Sequence, residues 1–246
     1  MSRPVVIDAH CHLGSGLTCT QSEDDLLREM DANGVARAVI VPVDRFLAVD
    51  NAEGNDQILA AVRSHPGRFI PFTTANPWFG DRARAELKRT FAAGAAGVKF
   101  HPGFQGFTLS DDVVLPLIEL AVEHRKPMFF HAGTPISSMP YQLTELAMRY
   151  PEGIFIMGHM AYSDFWYEVS ASAICVNNLF LETSHHVPGF VRVVAERVGF
   201  DKILFGSDSP YGSMEVEIEK IKTVFPSEAN RAEIFSANIS RILETP

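Results

Sequence analysis

Eight short apolar segments, each followed by an amphipathic segment, constrain the fold of this 246-residue chain more than any other feature. The apolar segments are rich in Val, Ile and Phe, as buried strands are. They cover residues 5–10, 37–43, 68–75, 96–101, 126–132, 153–159, 178–184 and 202–208. Because strands that alternate with helices pair in parallel, the pattern predicts an α/β fold with a parallel sheet.

The segments between these strands have the periodicity and the end signals of helices. Ser22 and Gly34, for example, are a typical N-cap and a typical stop. The predicted helices cover residues 22–34, 55–67, 81–94, 110–124, 140–151, 163–172, 187–199, 213–225 and 227–243. About eight such units match a (β/α)8 TIM barrel, and the chain shows no linker, so we expect one domain over residues 1–246. A doubly wound open sheet is the alternative, which the lack of a glycine-rich G-x-G-x-x-G turn disfavours.

Charge, hydropathy and cysteine content restrict the partners and the cellular location that we expect for this protein. The net charge is −9 and no basic block occurs, which argues against nucleic acid as a partner. No apolar stretch approaches about 18 residues and no signal peptide is apparent, so we expect no membrane partner. The three cysteines, Cys11, Cys19 and Cys175, do not have the spacing of a disulfide framework, which predicts reduced thiols and a cytoplasmic location. A homodimer is the expectation for oligomeric state.

Histidines and acids stand at the ends of the predicted strands. His10 and His12 are two residues apart in "DAHCHLG", so their side chains lie on one face of the first strand. The other strands carry, at or near their ends, Lys99 and His101, His131, His159, Glu182 and Asp208. In a parallel barrel these ends meet on one rim, where the catalytic residues of this fold collect. Imidazoles and a carboxylate clustered there predict a site for Zn²⁺ or a similar ion. His185 and His186 are interpreted as loop residues.

Five motifs carry a family resemblance. In order, "DAHCHLG", "GVKFHP", "FFHAGT", "GHM" and "ILFGSDSPYG" resemble the amidohydrolase superfamily. They are most similar to the amidohydrolase-related branch that contains the aminocarboxymuconate-semialdehyde-type decarboxylases. The resemblance covers nearly the whole chain, including the ending "IFSANISRIL".

The resemblance implies a metal site and roles for its residues. The expected ligands of one divalent metal are His10, His12, His131 and Asp208. Zn²⁺ is favoured, with Mn²⁺ and Fe²⁺ as alternatives. Asp208 is expected to move a proton as well, and His159 to orient water or act as acid and base.

A site with two metals is the alternative, in which His159 and Lys99 would also be ligands. "GVKFHP" resembles the one-metal branch. In a one-metal site, Lys99 is expected to pair with Glu182, and His101 to line the substrate pocket.

The favoured activity is that of a metal-dependent hydrolase of a small carboxylate, ester, lactone or amide, using metal-activated water. A metal-dependent non-oxidative decarboxylase of an aromatic or unsaturated acid is the alternative, and an inactive binding barrel is the second. Arg45, in the loop after the second strand, is a candidate anchor for a carboxylate, because a guanidinium fork matches that group. Candidates for an apolar pocket wall are Trp78, Phe104 and Tyr211.

Overall fold

Eight parallel strands form the centre of the molecule in a computed structural model that describes residues 5–162 and 165–244. They are β1 (Val6–Ser15), β3 (Val35–Pro42), β4 (Phe69–Thr73), β5 (Gly97–Phe100), β6 (Met128–Phe130), β7 (Phe155–Met157), β8 (Leu179–Glu182) and β9 (Ile203–Leu204). Each pairs in parallel with the next. A short strand, β2 (Thr20–Gln21), lies antiparallel to the end of β1.

The sheet closes between its first and last parallel strands. Cys11 and Ser209 form a parallel bridge, and the N–H of Ala9 donates to the carbonyl oxygen of Phe205 at 2.9 Å. The N–H of Asp208 donates to the carbonyl oxygen of His10 at 2.7 Å. This closure confirms the predicted (β/α)8 barrel over the doubly wound open sheet. It also brings residues from the two ends of the chain side by side.

Helices surround the barrel. They are α1 (Glu23–Asn33), α2 (Asp44–Ala48), α3 (Asn51–Ser64), α4 (Asp81–Ala92), α5 (Pro102–Gln105), α6 (Leu115–Glu123), α7 (Pro140–Arg149), α8 (Trp166–Cys175), α9 (Pro188–Val198), α10 (Met214–Val224), α11 (Glu228–Ala232) and α12 (Asn238–Glu244). Ser22 caps α1 through a capping box and Gly34 ends it in the left-handed conformation, as predicted. Among the described residues, no helix has the length and apolarity needed to span a bilayer.

Two apolar layers hold the barrel together. The inner layer fills the barrel and includes Ile7, Val41, Phe72 and Phe129, all buried. The outer, larger layer packs the strands against the helices. The register of β1 against β3 is irregular between Asp8 and Cys11, so the strand departs from strict alternation at Ala9 and His10.

The last predicted helix is interrupted in the structure. The prediction for 227–243 is one helix, but a π-helical turn over Glu233–Ala237 separates α11 from α12. The carbonyl oxygen of Ile234 accepts the N–H of Phe205, which explains the local change in the helical hydrogen-bond pattern. The predicted helix over 163–172 starts at residues 163 and 164, which lie outside the described residues.

Candidate metal centre

The carboxyl ends of the barrel strands surround a cavity of about 290 Å³. Its described lining residues are His10, His12, Lys99, His101, Phe104, His131, His159, Tyr162, His185, Asp208 and Tyr211. The structure therefore brings all the predicted metal and acid–base residues to one place, although they span almost the whole chain.

One group of possible metal ligands, which we call the metal-binding group, consists of His10, His12 and Asp208. The Nε2 atoms of His10 and His12 lie 3.2 and 3.0 Å from Oδ1 of Asp208. Nδ1 of His12 lies 2.9 Å from the carbonyl oxygen of Pro42, which can only accept a hydrogen bond. Nδ1 therefore carries the ring proton, which leaves a lone pair on Nε2, the atom that faces Asp208.

The electrostatics of this group suit a cation. Burial, together with the nearby charge of Lys99, lowers the pKa of His10 to about 4, so its imidazole is neutral at pH 7. Burial alone would raise the pKa of the Asp208 carboxyl, but its interactions with His10, His12 and His185 hold that pKa well below its usual range. The group thus offers one negative charge and two nitrogen lone pairs, of which the one on His10 also faces Nζ of Lys99 at 2.8 Å.

A buried oxygen in this group lacks a partner. Oδ1 of Asp208 has no hydrogen bond, although two imidazoles lie beside it. Such an oxygen is costly to bury, and a divalent cation bound by all three side chains would satisfy it. His131 lines the same cavity, but it is in none of the three groups of potential ligands found in residues 5–162 and 165–244. The donors present fit one divalent metal, and His131 as a further ligand stays a prediction.

Lys99 does not form the ion pair with Glu182 that the sequence suggested. Its Nζ lies 2.8 Å from Nε2 of His10 and 3.9 Å from the centre of the Phe129 ring. Oxygens of Glu182 accept instead from the backbone N–H of His159 at 3.1 Å and from the hydroxyl of Ser184 at 2.9 Å. Burial lowers the pKa of Lys99 to about 7, so its ammonium and amine forms coexist near neutral pH.

His159 is fixed at both ring nitrogens. Its Nδ1 lies 2.8 Å from the hydroxyl oxygen of Ser184, and its Nε2 lies 3.2 Å from Nδ1 of His131. Burial holds the pKa of His159 well below its usual range. The side chain is therefore neutral and rigidly oriented at the cavity.

His185 is a site residue that the sequence reasoning missed. Its Nε2 lies 2.9 Å from Oδ2 of Asp208, on the side away from His10 and His12. The hydrogen bond to Asp208 raises the pKa of His185. The available signal was its position three residues after Glu182, the strand-end acid, on the rim where the other site residues lie.

Comparison with known proteins places this site in a family. A family model described as "Amidohydrolase" matches residues 7–245. The chain belongs to the amidohydrolase family. The predicted membership, and with it the prediction of an enzyme of this superfamily, is therefore confirmed. No curated protein matches the sequence.

Solved structures with the same fold are distant in sequence from this amidohydrolase. A 5-carboxyvanillate decarboxylase from Sphingomonas paucimobilis has a TM-score of 0.81 at 16% identity, over 98% of this chain and 99% of that one. A 2,6-dihydroxybenzoate decarboxylase complexed with 2,6-dihydroxybenzoate has a TM-score of 0.82 at 16% identity, over 98% of this chain and 100% of that one. A dihydroxybenzoic acid decarboxylase from Polaromonas sp. JS666, with bound manganese and 2-nitroresorcinol, has a TM-score of 0.79 at 16% identity, over 98% of this chain and 97% of that one.

Three of the predicted substrate-binding residues of this amidohydrolase line the cavity, and two do not. His101, Phe104 and Tyr211 line it. Arg45 does not, because α2 directs its guanidinium toward the acids Asp50 and Glu53, whose oxygens lie 3.7 and 3.4 Å away. The indole N–H of Trp78 donates to the carbonyl oxygen of Gly106 at 2.9 Å, which holds the ring outside the cavity.

A glycine supports the turn that carries His159. Residues 159–162 all have left-handed backbone, with φ between +44° and +58°. Gly133, with φ +91°, lies directly against this turn, and a Cβ there would be 2.2 Å from the carbonyl oxygen of Ala161. Two adjacent loops thus touch through their backbones, which only glycine permits.

Gly133→Ala is expected to destabilise the protein more than Gly94→Ala. Both positions have left-handed backbone, which costs an alanine roughly 1–2 kcal/mol. A Cβ at Gly94 meets nothing within 4 Å, whereas at Gly133 it displaces the 159–162 turn, for about 1–3 kcal/mol more. Chemical denaturation of the two variants measures the difference. Equal stability of the two would show that the close contact is unimportant.

Proposed function

We propose that this amidohydrolase is a metal-dependent, non-oxidative decarboxylase of a small aromatic monocarboxylic acid. The observation that carries the proposal is that the metal-binding group opens into a small cavity with flat, ring-lined walls. The decarboxylases of aromatic acids that share the fold support it. Hydrolysis, which the sequence favoured, has support at the level of the superfamily only.

The walls suit a planar substrate. The ring of His101 stacks between those of Phe104 and His131, with centroids 3.8 and 3.9 Å away and planes within 6° and 12°. Tyr162 stacks on His159 nearby. A cavity of about 290 Å³ with such walls accommodates a single aromatic ring better than a flexible ester or amide chain.

The charges of the cavity suit one carboxylate. Lys99 and His185 line the cavity, can carry positive charge near neutral pH, and both lie against the metal-binding group. Burial holds the pKa of His101 well below its usual range, so that ring is neutral. Arg45, the predicted anchor, is paired elsewhere. The carboxylate of the substrate therefore belongs at the metal-binding group, and its remaining substituents are uncharged.

Each residue of the site can be given a role in the decarboxylation. The bond between the ring and the carboxylate breaks, its electron pair stays on the ring carbon, that carbon takes up a proton, and carbon dioxide leaves. His10, His12 and Asp208 would hold a divalent metal, which would supply positive charge opposite the substrate's anionic oxygens. The chain supplies the proton from His185 and Asp208, whose Nε2 and Oδ2 atoms lie 2.9 Å apart beside the cavity. His159, neutral and fixed by Ser184, orients the ring.

The metal is proposed to be a single Zn²⁺ or Mn²⁺ per chain. Two imidazoles and a carboxylate accept either ion, and the Polaromonas decarboxylase with bound manganese supports a trial of both. A homodimer and a cytoplasmic location stay proposals from the sequence. All three cysteines are free thiols in the structure.

Product analysis of the metal-loaded enzyme tests the proposed function. We expect carbon dioxide release from hydroxybenzoic acids in a panel of single-ring acids, with deuterium from D₂O at the vacated ring position. Acids with a second carboxylate should have about 100-fold lower kcat/KM, since an unpaired buried charge costs several kcal/mol. Hydrolysis of phenyl esters, lactones or amides without carbon dioxide release would support the hydrolase instead. Turnover of neither panel is the result expected of an inactive binding barrel.

A further inference from the structure

A buried ion pair on α10 lies beneath the loop that follows β8. Glu217 and Lys220, one helical turn apart, are 7% and 8% exposed and contact each other directly. Nζ of Lys220 also donates to the carbonyl oxygens of Thr183, at 2.7 Å, and His186, at 3.1 Å. Oε1 of Glu217 accepts the backbone N–H of His185 at 3.2 Å. One helix thus holds residues 183–186 by three separate hydrogen bonds.

This loop carries the imidazole that contacts Asp208. His185 has φ +59°, a left-handed conformation that is uncommon for residues other than glycine. Its side chain is 29% exposed, and its ring centroid lies 5.5 Å from that of His159 and 6.4 Å from that of Tyr162. These ring contacts set the plane of the imidazole, whereas the distance of 2.9 Å between Nε2 of His185 and Oδ2 of Asp208 also requires the backbone of the loop to be held in place.

We infer that Glu217 and Lys220 are positioning residues that hold His185 against Asp208. A buried ion pair is a weak means of stabilising a fold, because apolar side chains in its place are often as good. A pair that also bonds three backbone groups of one loop fixes the geometry of that loop. The effect on turnover rests on the proposed function, whereas the effect on the loop does not.

Lys220→Met in the metal-loaded, full-length protein tests this inference, with Lys202→Met as the matched control. Lys202 likewise donates from Nζ to two backbone carbonyl oxygens, of Ala173 and Val176, but these lie outside residues 183–186. In Lys220→Met we expect faster amide hydrogen exchange in peptides that cover 183–186, and a kcat lower by about 10- to 100-fold with a smaller change in KM. Lys202→Met should change neither quantity.

A double-mutant cycle separates positioning from general damage. His185→Asn removes the imidazole and keeps a residue that tolerates the left-handed backbone. In that background, Lys220→Met should lower kcat less than about 2-fold further, because both substitutions then remove the same function. An equal loss of kcat in both backgrounds would overturn the inference. If Lys220→Met fails to fold, the double variant Glu217→Gln/Lys220→Met loses the same bonds without an unpaired buried charge and takes its place.

Hydrogen exchange keeps the two proposals distinguishable. If no acid in the panel is turned over, the proposed function fails, while faster exchange at 183–186 in Lys220→Met alone still supports the positioning role. Unchanged exchange at 183–186 would overturn the positioning role whatever the substrate proves to be.

Discussion

Replacing Asp208 with asparagine is expected to lower kcat on the acid substrate by about 10³-fold and to remove most of the bound metal. Asp208 is the carboxylate at which His10, His12 and His185 converge, with contacts of 3.2, 3.0 and 2.9 Å. A neutral amide removes the negative charge that would bind a cation. It also replaces the carboxylate beside Nε2 of His185, which can take up a proton, with an amide, which cannot.

Asparagine is the informative substitution because it keeps the backbone. Asp208 has φ +58°, a conformation that asparagine tolerates and alanine does not. Steady-state kinetics and metal content of the purified variant measure the effect. Glu86→Gln, which alters a carboxylate bonded to Asn55 and Arg89 on α4, is the control and should keep full activity. Wild-type turnover in Asp208→Asn would remove Asp208 from the mechanism.

His159→Asn is expected to lower kcat by about 100-fold and to leave the metal content at one ion per chain. Asparagine again preserves the left-handed backbone, here at φ +58°. The loss follows because the ring that bridges Ser184 and His131, 2.8 and 3.2 Å away, no longer faces the substrate. The same variant distinguishes one metal from two, since His159 is a ligand only in the two-metal alternative.

Kinetics and elemental analysis on one preparation check this second expectation. His124→Asn is the matched control, because His124 lies at the end of α6 and packs against Phe91, away from the cavity. A fall from two ions to one in His159→Asn would establish the two-metal site. Unchanged kcat would assign His159 to structure alone.

The barrel and the position of its site followed from local patterns. Short apolar runs with intervening helices predict strand order, and parallel strand ends share a rim. For that reason His10, His12, His159 and Asp208 could be placed together before any coordinates. These residues are fixed by the strands they follow, so strand assignment is enough to locate them.

Residues whose direction depends on tertiary contacts could not be predicted in this way. Arg45 follows a strand, but α2 brings nearby acids within reach of its guanidinium and takes it away from the cavity. Lys99 contacts His10 rather than Glu182, because Glu182 is already occupied by backbone and hydroxyl donors. His185 reaches Asp208 through a left-handed residue held from α10, and no local pattern encodes that contact.

The metal content of the purified protein tests the central claim most directly. After removal of metal with a chelator and reloading with Zn²⁺ or Mn²⁺, elemental analysis should find one ion per chain. His12→Ala removes one of the three ligands but leaves the barrel strand in place. This variant should retain less than about a tenth of the metal that the wild-type chain binds. An ion bound equally well by His12→Ala, or no ion bound by the wild-type chain at all, would contradict the claim that His10, His12 and Asp208 share a metal.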